Sequence, residues 1–115
     1  MDQLAIHPYP NLNTDPPGKG YAWPNAGVPN LGRIKQAVWD AFHGTSQPAF
    51  AEPGRPAEGA LTLVIDELAW QVQIPPALRD QYFGRENVPL VSESVHARYY
   101  AAALSMLRCD PAVTV

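Results

Sequence analysis

Leu61-Thr62-Leu63-Val64-Ile65-Asp66-Glu67, followed by Leu68-Ala69-Trp70, is a dense apolar run that ends in two carboxylates. Such a run reads as a strand buried on both faces, the habit of a parallel sheet. Parallel strands that carry chemistry gather it at their C-terminal ends. Leu4-Ala5-Ile6 is a shorter apolar run, and it gives way to His7-Pro8-Tyr9-Pro10. Two strands are therefore predicted to deliver polar side chains at the same end of a sheet.

The elements around these strands follow from periodicity and punctuation. Residues 2–7 and 61–67 are predicted strands. Between them, residues 8–30 form a long loop rich in Pro, Gly and Asn that contains Tyr9, Tyr21 and Trp23. Loops beyond about 12–15 residues are uncommon in compact domains unless functional or disordered, and disordered segments are poor in aromatics. Asn30 is a candidate N-cap for a helix over about 31–43. Its apolar stripe is Leu31, Ile34, Val38 and Ala41 or Phe42, with Gly44 suited to the C′ position. Residues 45–59 read as a second loop. Residues 68–91 read as irregular, because Pro75-Pro76 blocks a helix through that point, with a short helical turn over Ala77–Phe83. Ser92 can cap a second helix over about 92–108, with Glu93 at its positive end. Its predicted stripe is Val95, Tyr99, Ala102 or Ala103, and Met106, and Asp110-Pro111 stops it. Residues 112–115 read as a third strand.

The order β-α-β-α-β means βαβ units and a parallel sheet. We therefore expect one α/β domain over residues 1–115, part of a larger sheet or barrel whose other strands pair with the two outer ones. At 115 residues the chain is at most one small domain.

Composition narrows the partners. The net charge is −3 and charged residues make up 17%. The eight basic residues are scattered, which speaks against nucleic acid or an anionic membrane surface, since both select clustered Lys and Arg. No apolar run approaches the roughly 18–20 residues of a membrane span. Met1-Asp2-Gln3 opens no signal peptide in this chain, and localisation is left open, a secreted parent included. Cys109 is the single cysteine, so neither an internal disulfide nor a thiolate zinc site is predicted.

Strand alternation predicts that Asp66 and Glu67 point to opposite faces, while His7 and Tyr9 share one. A paired-carboxylate mechanism would then need its second acid from elsewhere. His7 with Asp66 or Glu67 matches no zinc motif, and no metal or cofactor is predicted. Gly18-Lys19-Gly20 does not lie between a strand and a helix, so it is no phosphate cradle, and no Gly-x-Ser-x-Gly elbow occurs.

These residues resemble a known family. Leu63-Val64-Ile65-Asp66-Glu67-Leu68-Ala69-Trp70 is similar to the seventh-strand motif of the clan A glycoside hydrolases, retaining enzymes built on a (β/α)8 barrel. Asp2-Gln3-Leu4-Ala5-Ile6-His7-Pro8-Tyr9 resembles their sixth strand. The resemblance implies a C-terminal part of a (β/α)8 TIM barrel, from the sixth strand to the start of the eighth, with the remainder of the barrel required. It implies a carbohydrate substrate, with Glu67 in the nucleophile position. His7 and Tyr9 would support it, and Trp70 would stand at the cleft edge. Asp66, Leu68 and Ala69 stand where that motif often has Thr, Phe and Gly. The family's general acid, a Glu after Asn, has no counterpart, since Glu86-Asn87 runs in the reverse order.

Trp70, Trp23 and Tyr21 are candidate sugar platforms, because flat aromatic faces match the apolar faces of pyranoses. Packing explains all three equally well. Two alternatives stand beside the hydrolase reading: a domain that binds a glycan or cell-wall polymer without cleaving it, and an inactive truncated product.

Overall fold

Three short parallel strands form one sheet in the computed structural model, which describes residues 2–51, 60–84 and 87–114. They are β1 (Gln3–Ile6), β2 (Thr62–Ile65) and β3 (Val113–Thr114), in the spatial order β1-β2-β3. The register pairs Gln3 with Thr62 and Ile6 with Ile65 on one side of β2, and Leu63 with Val113 on the other. Two helices connect them: α1 (Leu31–Phe42) between β1 and β2, and α2 (Glu93–Arg108) between β2 and β3. Short 3₁₀ helices occupy Val28–Asn30 and Pro76–Gln81. Part of the expected second loop, residues 52–59, lies outside the described residues, as do Arg85, Glu86 and Val115 of the expected third strand.

The expected partial (β/α)8 barrel is corrected by this sheet. Closing a barrel requires tilted strands paired around a complete circle. Among the described residues the sheet has three strands, with β1 and β3 at open edges. Alternating strands and helices are common to open and closed parallel sheets, so that pattern could not carry closure. The radius of gyration, 17.1 Å, also exceeds the roughly 13 Å of a compact 100-residue domain, so the core is small for the chain.

The expectation that β2 is buried on both faces is corrected as well. Leu63 is fully buried, while Thr62, Val64 and Ile65 are half-buried. The face carrying Leu4, Ile6, Leu63, Ile65 and Val113 packs into the core with Val28, Leu31, Phe50 and Leu107. On the other face Gln3, Ala5 and Thr114 are exposed. Apolar β-branched residues made both faces look alike in sequence, but Leu31 of α1 and Leu107 of α2 join the core on one face, while Ala103 of α2 packs with Trp70 and Val91 in a second cluster.

The helix ends show why the chain turns where it does. Ser92 Oγ accepts from the Val95 amide at 3.4 Å, capping α2, and Glu93 sits in its first turn. The α2 stripe is centred on Ala103 and Leu107, with Val95, Tyr99, Tyr100 and Met106 beside them. Asn30 is the N-cap of α1 by position, but its side chain does not cap that helix. Its Oδ1 accepts instead from the amides of Tyr21 and Gly27, at 2.8 and 3.2 Å. Gly44 takes φ +73° just past α1, a conformation that favours glycine. The α1 stripe fades at its C-terminal end, where Ala41 and Phe42 are exposed. Lys35 Nζ meets Asp110 Oδ2 at 2.6 Å, tying α1 to the turn before β3. Asp110 Oδ1 also accepts from the Ala112 amide.

Leu63 sits where the sheet, α1 and α2 converge. Leu63→Ala is expected to lower the unfolding free energy by about 2–5 kcal/mol, measured by urea denaturation. A loss well under about 1 kcal/mol would remove it from the centre of the core.

Candidate functional site

Register decides what meets at the C-terminal end of the sheet. Ile6 and Ile65 are paired, so His7 and Asp66 leave the sheet side by side. His7 Nε2 lies 3.0 Å from Asp66 Oδ1, and His7 Nδ1 lies 3.4 Å from Glu67 Oε2. The Tyr9 hydroxyl donates to Glu67 Oε1. The His7 and Tyr9 rings meet edge to face, 6.4 Å apart at 89°. Carboxylate, imidazole, carboxylate and phenol thus form a continuous chain: Asp66, His7, Glu67, Tyr9.

The expectation that Asp66 and Glu67 point to opposite faces is corrected here. Alternation holds only along regular strand, and β2 ends at Ile65. Beyond it the backbone releases both acids toward one imidazole. A neutral imidazole donates through one ring nitrogen, whereas an imidazolium donates through both. His7 can therefore serve one carboxylate or both according to its protonation.

The cluster is half exposed at His7, Asp66 and Glu67. Water screens such pairs, so they contribute little to stability, and their value lies in orienting one another. Tyr9 shows the coupling. The hydrogen bond to Glu67, followed by burial and then the Glu67 charge, pushes its phenol up to about 12 from an ordinary 10.0. The carboxylate favours the protonated, donating phenol.

The other three candidate residues are not brought to this cluster. Trp70 is 3% exposed. Its Nε1 donates to the Asp15 carbonyl at 2.9 Å, and Tyr99 and Tyr100 pack edge-on at 5.5 Å each. It is core filler with a satisfied N–H and offers no open face to a sugar. The Tyr21 hydroxyl donates to Asp15 Oδ2 at 2.9 Å and accepts from the Asn11 amide at 3.1 Å. Burial, above all, raises its pKa. Trp23 is 65% exposed on the same loop.

Three residues that were not among the sequence-based candidates, Asp15, Asn13 and Arg33, hold this loop in place. Asp15 is buried, with Lys19 Nζ at 2.7 Å from its Oδ1. That hydrogen bond is the main cause of its lowered pKa, reinforced by Tyr21. Asn13 Nδ2 donates to the carbonyls of Gln71 and Pro89, both at 2.8 Å, while its Oδ1 accepts from the Gln71 amide at 2.6 Å. Arg33 Nη2 donates to the carbonyls of Tyr21 and Asn25. The spacing of Asp15 and Lys19, four apart, was the one sequence signal of this scaffold. Among the described residues no group of three or more His, Cys, Asp or Glu is placed to hold a metal ion, and no helix is long and apolar enough to cross a membrane.

No family model matches the chain, and neither the curated proteins nor the solved structures yield a match.

The Tyr9 shift is measurable. Because its folded pKa is raised, its contribution to stability is complete below pH 10.0 and is lost as pH rises toward about 12. Phenolate absorbance is expected to show a late transition near pH 12 that disappears in Tyr9→Phe. In Glu67→Gln that transition should fall back toward about 10. An unchanged transition in Glu67→Gln would break the assigned bond.

Proposed function

We propose that the strand-end cluster is a carbohydrate site of the retaining-glycosidase kind, with Glu67 as nucleophile and His7 and Tyr9 as its positioning partners. The observation that carries this reading is the double grip on Glu67: phenol on one oxygen, imidazole near the other. A carboxylate oriented through both oxygens is held for attack on a single centre.

Retaining hydrolysis also needs an acid/base carboxyl about 5–5.5 Å from the nucleophile. Asp66 does not fill that role in this reading, because His7 stands between it and Glu67. The cluster is one half of the machinery: it can bind a sugar and accept a glycosyl group from a substrate whose leaving group departs without a proton. A glycan-binding role without turnover is the second reading. It draws on the same arrangement, in which both carboxylates are engaged with His7.

An activated glycoside separates the two. In a 2-deoxy-2-fluoroglycoside carrying a dinitrophenolate leaving group, the Glu67 oxygen forms an ester to the anomeric carbon as the C–O bond breaks. The phenolate leaves as a stable anion, so no general acid is required. Mass spectrometry across a panel of such sugars is expected to find one adduct on the peptide bearing Glu67, absent in Glu67→Gln and slowed by Tyr9→Phe. No adduct with any sugar, despite measurable glycan binding, would leave the second reading standing and end the first.

A further inference from the structure

We propose that a second carbohydrate-binding site lies between the 73–82 segment and the start of α2, and that it takes a neutral oligosaccharide. An open groove of about 950 Å3 lies there, at the upper end of the range usual for small-molecule sites. It shares no lining residue with the strand-end cluster and does not depend on the reading of that cluster.

The groove is built on fixed backbone. Val72 and Val91 form an isolated parallel bridge. Gln73 donates its amide to the Val91 carbonyl, and Val91 donates to the Gln71 carbonyl, at 2.8 and 3.1 Å. These bonds fix the two segments that flank the groove against each other. Pro75 and Pro76 stiffen the entry to the 3₁₀ helix.

The lining chemistry points to a neutral, many-hydroxyl ligand. Arg79 supplies donors, Glu93 supplies acceptors, and Gln73 and Ser94 supply both. Among the described residues the lining carries one guanidinium and one carboxylate, and so no net side-chain charge. That disfavours an anion, which Glu93 would repel, and a cation, which Arg79 would repel. A sugar hydroxyl donates and accepts at once, and a mixed set of this kind satisfies it in either sense.

The apolar component is a ring platform. Tyr82 lines the groove and is 59% exposed. Its flat face can cover the C–H face of a pyranose. Of the exposed large hydrophobics near it in sequence, Leu78, Tyr82, Phe83 and Val88, only Tyr82 lines the groove. Phe83, 93% exposed, does not line the groove and serves as an internal control.

The test is titration of the 15N-labelled full chain with cellohexaose, xylohexaose and maltohexaose in turn, followed by amide shifts. At least one hexaose is expected to move the amides of Gln73, Arg79, Tyr82 and Ser94 saturably. Tyr82→Ala should weaken that binding by about tenfold or more, whereas Phe83→Ala should hold it within about twofold. Tyr82 is exposed, so its loss leaves the core intact. Amide shifts of core residues that match the parent confirm the fold of each variant. Absence of groove shifts with all three hexaoses would overturn the proposal. So would full binding by Tyr82→Ala. Equal weakening by Phe83→Ala and Tyr82→Ala would assign the surface to unspecific apolar contact and overturn it too. Saturable shifts confined to the amides of His7, Asp66 and Glu67 would place the sugar at the strand ends instead and overturn it.

Discussion

The register of β1 against β2 is the constraint on which the rest depends. Pairing Ile6 with Ile65 sets Leu4, Ile6, Leu63 and Ile65 on the core face. The same pairing makes His7 and Asp66 neighbours where the strands end. A slip by one residue would turn the apolar set to the other face. It would also part His7 from the carboxylates. Core packing and side-chain chemistry are therefore fixed by the same hydrogen-bond ladder. Leu63, against which both helices pack, holds that ladder in its register.

The Pro-rich loop is ordered by polar contacts. Asp15 gathers Lys19, Tyr21 and the indole N–H of Trp70 around its carboxylate and carbonyl. Asn13 mimics a strand partner, satisfying Gln71 in both directions. Buried polar groups left unpaired cost far more than a typical paired bond contributes. The loop is therefore tied to Trp70, Gln71 and Pro89. Tyr99 adds a further link, its hydroxyl donating to the Thr14 carbonyl.

The positions of the helices and strands were legible in the sequence because they rest on local signals. Ser92 before an apolar stripe, Gly44 after one, and Pro75-Pro76 between elements each act within a few residues. Non-local features were not legible. Whether the parallel sheet closes depends on strands that no periodicity in these residues specifies. The convergence of Asp66 and Glu67 on His7 was hidden because the strand was read through to Glu67, two residues past its end. Trp70 has an apolar body and a polar N–H, so its composition fits a sugar platform and a buried anchor equally well. The buried Asp15 carbonyl selects the second. Asn13 and Asp15 looked like ordinary turn residues, since their partners lie more than fifty residues away for Gln71 and Trp70.

The half-exposed state of the His7, Asp66, Glu67 and Tyr9 chain has a consequence for any ligand it takes. In water, charges at such separations are heavily screened and their hydrogen bonds compete with solvent. A ligand that covers the cluster removes that competition. The same contacts then act in a medium of lower effective dielectric and strengthen without moving. The unpaired alternative becomes costlier at the same time, so the Tyr9 hydrogen bond to Glu67 and the ion pair of His7 with Glu67 tighten together. A bulky ring laid over the strand ends would gain this electrostatic term in addition to its own contacts. A small ion, leaving most of the cluster wet, would not. A ligand seated there would thus gain by how much water it displaces, so breadth would count before charge.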